Sequence, residues 1–168
     1  MKKITKISIV ILIAALILIF GTVEYFKYQS HKDEISKDQI YNNIKQVCNG
    51  LFNNEIRNFK IHMEKSKGNL LFITFSLQDS MEVNHFGYAD YTILDNGKLK
   101  YQKITTYEAN DIDETSDVEL VDIKGKTYFV YYGISTNENI KSHTFTHGNK
   151  EVTLKAKGKK FIEFYTAN

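Results

Sequence analysis

The chain has no proline, no tryptophan and a single cysteine, and only one of its 22 basic residues is arginine. With Cys48 alone, an intrachain disulfide is excluded. That suits a reducing compartment, or the exterior of a bacterium that rarely uses disulfides. Lysine in place of arginine, with many Asn, Ile and Tyr, is the bias of an AT-rich bacterial genome. G-x-S-x-G, H-E-x-x-H, the P-loop and G-x-G-x-x-G are all missing, so the sequence offers none of the hydrolase, nucleotide or dinucleotide signatures. No Pro/Gly/Ser-rich linker, internal repeat or low-complexity tract divides the chain. A strong charge of either sign is also missing. The first 27 residues hold four lysines and one glutamate, which leaves 18 basic and 19 acidic residues in the remainder. Near neutrality argues against nucleic acid as a partner.

One long uncharged run is present. Residues 7–23 carry no charge and follow Lys2, Lys3 and Lys6. Extended by Ile4 and Thr5 and through Phe26, the run reaches the roughly 17–25 residues that span a bilayer as a helix. A cleaved signal peptide has an apolar core of about 7–15 residues and an A-x-A-like site. Here the core runs on to Gly21-Thr22-Val23-Glu24 without one. The reading is an uncleaved single-pass membrane anchor over residues 1–27. Tyr25, Phe26 and Tyr28 would lie at headgroup level. The flanking lysines are nearly balanced (Lys2, Lys3, Lys6 against Lys27, Lys32, Lys37). A short tail before a lone first helix favours a cytoplasmic N-terminus and an extracytoplasmic domain, residues 28–168.

That remainder has the size of one domain. Ile40, Ile44, Val47, Cys48, Leu51 and Phe52 fall at helical spacing. Ser36-Lys37-Asp38-Gln39 reads as a capping box, with Ile35 and Ile40 as its hydrophobic staple. Asn49-Gly50 either ends or interrupts the helix. Cys48 lies on the apolar stripe and reads as a small buried hydrophobe. From Phe59 onward the period becomes 2. Turns are predicted at Ser66-Lys67-Gly68-Asn69, Asp95-Asn96-Gly97-Lys98, Lys124-Gly125, Gly148-Asn149 and Lys157-Gly158-Lys159-Lys160. About eight mostly antiparallel strands and one amphipathic helix give an α+β domain, with the helix on or beside a curved sheet.

Two groups of residues are candidate sites. The first is acidic. From Asp111, oxygen-bearing side chains recur at calcium-loop positions 1, 3, 5, 7, 9 and 12: Asp111, Asp113, Thr115, Asp117, Glu119 and Asp122. Position 6 is Ser116 rather than glycine, Asp122 is shorter than the usual glutamate, and the flanks read as strands. The competing readings are a solvated acidic loop and a contact surface for a basic partner, including Lys155, Lys157, Lys159 and Lys160 of the same chain. The second group is aromatic. Alternation along Tyr128-Phe129-Val130-Tyr131-Tyr132 sends one set to the core. The other set, with Tyr88, Tyr91 and Tyr101, would line a groove for a peptide or glycan. From the run itself, Tyr128 and Tyr132 would contact the ligand. His143 and His147 would suit one metal on a helix, but on a strand they sit about 13 Å apart.

Asn69–Leu77, Phe86–Lys98 and above all Gly125-Lys126-Thr127-Tyr128-Phe129-Val130-Tyr131-Tyr132-Gly133-Ile134, followed by Asn139-Ile140-Lys141-Ser142, make a G-K-x-Y-x-V-x-Y-G … I-K pattern. In this pattern the chain resembles a set of small membrane-anchored extracytoplasmic proteins of low-GC Gram-positive bacteria. That set has no assigned activity, so the resemblance implies an architecture and no functional residue. The function expected is non-enzymatic and needs no cofactor. It is a membrane-anchored domain that binds or senses a protein or cell-wall ligand at the membrane surface. The alternative is an accessory structural subunit of a cell-envelope secretion or conjugation assembly.

Overall fold

The computed structural model describes residues 34–53, 55–136 and 141–167. The expected anchor, residues 1–27, lies outside the described residues. Among the described residues no helix is long and apolar enough to cross a membrane. The domain is mostly antiparallel sheet with one short helix.

The chain enters through a two-residue strand, β1 (Glu34–Ile35), and a 3-10 turn, Lys37–Gln39, which runs into helix α1 (Ile40–Leu51). At the predicted cap, Gln39 Oε1 accepts the Ser36 N–H and the Ser36 hydroxyl, each at 2.9 Å. This satisfies one backbone donor that the first helical turn leaves unpaired. Ile35 and Ile40 join the same apolar cluster, as a staple requires. Gly50 does not end the helix, which continues to Leu51.

Nine further strands follow among the described residues: β2 (Arg57–Lys67), β3 (Leu70–Gln78), β4 (Asn84–Ile93), β5 (Leu99–Glu108), β6 (Thr115–Ile123), β7 (Lys126–Ile134), β8 (Lys141–His147), β9 (Lys150–Ala156) and β10 (Lys160–Thr166). They form three sheets rather than one, with orders β1-β5-β4-β3-β2, β10-β7-β6 and β8-β9. At the β6–β7 turn Lys124 and Gly125 both take positive φ (53° and 74°), the geometry of a two-residue hairpin. Asn96-Gly97 makes a longer loop. Leu94 donates its N–H to Lys98 O at 2.8 Å, which leaves three residues between them, with Gly97 at φ 77°.

Three apolar clusters stack these elements in layers. Ile40, Ile44 and Cys48 of α1 cover Leu71, Ile73, Phe75, Leu77, Ala89 and Tyr91 on one face of the five-stranded sheet. The opposite face, through Leu70, Phe72, Phe86 and Tyr88, meets Val121, Val130, Tyr132 and Ile162 of the three-stranded sheet. The outer face of that second sheet, through Phe129, Tyr131 and Phe161, is covered by Leu154 and Ala156 of β9. Strands β3 and β7 are buried on both faces, which is why both read as near-continuous apolar runs. Ion pairs join the two larger sheets at their margins: Lys65–Glu163 at 2.8 Å and Lys103–Glu119 at 3.1 Å.

Candidate functional site: two concavities beside strand β6

The predicted tyrosine groove is corrected by this layering. Tyr88, Tyr91 and Tyr132 are at most 1% exposed. Tyr88 and Tyr132 lie in the core between the large sheets, and Tyr91 lies under α1, where its hydroxyl donates to Asn43 Oδ1 at 2.8 Å. Tyr128 and Tyr101 are half-buried, in different clusters. The physical reason is that β7 lies between two layers, so alternation sends both of its aromatic sets into cores. Among these rings Phe129 borders a concavity, and the tyrosines Tyr131 and Tyr132 are buried.

The calcium loop is corrected too. Thr115–Ile123 is a strand, so Asp117 and Asp122 stand about 17 Å apart along it, too far to share an ion. The acids serve local geometry. Asp111 Oδ1 accepts the Asp113 N–H, Asp117 Oδ1 accepts the Val118 N–H, Asp122 Oδ1 accepts the Gly125 N–H at the hairpin turn, and Glu119 pairs with Lys103. Asp113 lines one concavity with Lys159 and Lys160. Among the described residues, no group of three or more His, Cys, Asp or Glu side chains is arranged to hold a metal ion.

Glu114 lies in the acidic stretch 108–122 but at none of the calcium-loop positions, and it is the most connected acid among the described residues. It pairs with Lys141, and its Oε2 accepts the N–H and the hydroxyl of Thr136 at 2.9 Å each. Lys141 first, then these bonds, hold its carboxyl down at about 2.

Two polar pairs look catalytic and are not built for it. His62 occupies a bulge in β2, and its Nε2 lies 2.7 Å from Ser76 Oγ. Ser76 is buried, and His62 Nδ1 has no carboxylate partner. Burial, then Lys160 and Lys60, push this histidine down to about 4, so it is neutral at pH 7. His85 Nε2 lies 3.0 Å from Asp79 Oδ2 in the β3–β4 turn. Asp79 Oδ1 accepts the N–H groups of Met81 and Val83, which makes the aspartate the organiser of that turn. Cys48 is fully buried, and burial pushes its thiol up to about 12, so it is no nucleophile.

Two further concavities lie beside β6. On the outer side a cleft of about 320 Å³ is lined by Asp117, Val118, Leu120, Phe129, His143, Phe145 and His147. Strand β8 supplies His143, Phe145 and His147 from one face, because alternate residues of a strand point the same way. Phe129 meets Phe145 and His147 edge-on, each with ring centroids 5.0 Å apart. Leu120, on β6, is 48% exposed at its rim. The sequence shows only that these two histidines stand too far apart on a strand to share a metal. Their apolar company comes from strands distant in sequence.

On the inner side a more polar cavity of about 250 Å³ lies between β4, β5 and β6, lined by residues that include Tyr88, Asp90, Gln102, Lys103, Glu119 and Asp122. Asp90 pairs with Lys103 and Tyr91 with Tyr101, so Gln102 is the extra residue of a β-bulge in β5. Bulges often mark places where a sheet re-aims a side chain. Two buried atoms here have no hydrogen-bond partner, the Tyr88 hydroxyl and Asp90 Oδ1. Burial raises the Asp90 carboxyl to about 6 against the opposing pull of Lys103.

No family model, curated protein or solved structure matches the chain.

Proposed function

We propose that this chain is a non-enzymatic, membrane-anchored, extracytoplasmic binding domain. Its ligand lies in the aromatic cleft between β6 and β8. The observation that carries this reading is the cleft itself, where the rings of Phe129, Phe145, His143 and His147 border an open concavity with Asp117 on its wall. Its volume of about 320 Å³ falls at the lower end of the usual ligand-pocket range of about 300–1,000 Å³. Flat rings with a polar fringe suit a ligand of matching build, such as a glycan ring or an aromatic peptide side chain. The uncharged N-terminal run supports a tether, and a tethered domain meets cell-wall and protein ligands at the membrane surface.

Residues 35–168 form a compact unit and are the piece to assay. This unit is expected to co-sediment with purified cell-wall material. Phe145→Ala and His147→Ala should each weaken retention about tenfold, the equivalent of one lost ring contact of about 1.4 kcal/mol. Equal retention by both variants, or no retention of the wild type, contradicts the reading.

A second reading has its own observation. Among the described residues β6 pairs as a strand only with β7, which leaves its other edge for strand addition by another subunit. An assembly subunit migrates in a large detergent-stable complex, and a solitary binder does not. The carboxylates Asp117, Glu119 and Asp122 along β6 favour the solitary binder, because charged edges discourage strand-to-strand association.

A further inference from the structure

We propose that the inner cavity between β4, β5 and β6 is a second binding site, one that takes the ammonium group of a small amine between Asp90, Glu119 and the Tyr88 hydroxyl. It borders the aromatic cleft at Leu120 and is otherwise lined by different residues. Three observations converge on it. The first is a pair of unmet polar atoms. Tyr88 is fully buried and Asp90 is 9% exposed, and neither the phenol oxygen nor Asp90 Oδ1 makes a well-formed hydrogen bond, although Lys103 Nζ lies 5.5 Å from the centre of the Tyr88 ring. Buried polar groups in folded proteins are almost always paired, and an unpaired one costs more than a made bond returns. Two such atoms come from residues two apart on one face of β4, and both line the same cavity.

The second observation is charge. Asp90, Glu119 and Asp122 line the cavity against one cation, Lys103. That cation is already held by Glu119 at 3.1 Å and makes no hydrogen bond to Asp90 Oδ1. The balance left over is negative, and it sits beside an acceptor that lacks a donor. An ammonium has three N–H donors and no acceptor, so one group can serve the Asp90 carboxylate, the Tyr88 oxygen and Glu119 together. The third observation is shape. The Gln102 bulge opens the sheet at this point, and a volume of about 250 Å³ lies just below the range of drug-sized pockets, which suits a small polar molecule.

The test is a nuclear magnetic resonance titration of the full chain with ethylammonium chloride. Ethanol serves as the neutral probe and sodium acetate as the anionic one, at matched ionic strength. Saturable shifts of the Asp90, Gln102 and Lys103 amides with ethylammonium alone are expected. Asp90→Asn keeps the shape of the side chain and removes its charge, and should weaken binding at least about tenfold. Glu119→Gln is the second variant and should weaken it too, while both variants keep cell-wall retention through the cleft. Equal shifts with ethanol, unchanged affinity in both variants, or no saturable shift with any probe, as when water alone fills the cavity, each overturn the proposal.

Discussion

Tyr132→Ala is expected to destabilise the domain by about 3–5 kcal/mol, the usual cost of deleting a large buried aromatic ring. Tyr132 is 1% exposed, and its ring lies 5.2 Å from Phe72, 5.4 Å from Tyr88 and 6.1 Å from Phe86, centroid to centroid. Its ring pairs with all three of these rings of the five-stranded sheet. Its loss opens the main core on both sides at once, and the layers around it are fixed by their own hydrogen-bond ladders, so the cavity cannot close. Against a typical total stability of about 5–15 kcal/mol, that is a large share. Chemical denaturation read by circular dichroism should show the midpoint fall with little change in slope. A shift under about 1 kcal/mol would mean that the two sheets are not packed through this residue.

Gly133→Val should be more damaging, with a loss above about 4 kcal/mol or failure to fold. Gly133 is in the central strand of the three-stranded sheet, opposite Ser116 on β6 and Phe161 on β10. A Cβ there would stand 2.4 Å from Thr115 O and 2.7 Å from Ser116 Cβ. The obstacle is backbone on a paired neighbour, and β7 cannot move away because β10 holds its other edge. Gly50→Ala is the control, since a Cβ at that position meets nothing within 4 Å. The same denaturation experiment should separate the two variants clearly. A folded Gly133→Val protein with a near wild-type midpoint would contradict the β6–β7 register.

Local chemistry makes much of this fold legible in the sequence. The Ser36–Gln39 cap, the helical stripe of Ile40, Ile44 and Cys48, and the period-2 strands are all decided by neighbours a few residues away. Leu51 also fits the stripe but is 59% exposed, because Phe52 takes the last inward place and packs on His85 at 4.6 Å. The layers are not legible in the same way. Alternation shows that Tyr132 and Tyr131 point opposite ways, but it does not show that a sheet waits on one side and a hairpin on the other. The aromatic cleft combines β6, β7 and β8, and no local pattern brings those strands together. The inner cavity does leave one signal in the sequence. Asp90 shares a strand face with Phe86 and Tyr88, so an acid stands at a position whose neighbours are core. The acidic stretch misleads for the converse reason. Regular spacing of carboxylates looks the same in a loop that converges and in a strand that keeps them apart.

The central claim is a binding domain held outside the membrane by its N-terminal run, and thiol labelling tests it most directly. Cys48 is buried with a raised pKa, so the wild type should stay unlabelled while folded. Met81, at the tip of the β3–β4 turn, is 78% exposed, so Met81→Cys supplies one reactive thiol without touching the core. With a membrane-impermeant maleimide on intact cells, Met81→Cys should label as fully as it does after lysis, and the wild type should not label. Labelling of Met81→Cys only after the cells are broken would contradict the account.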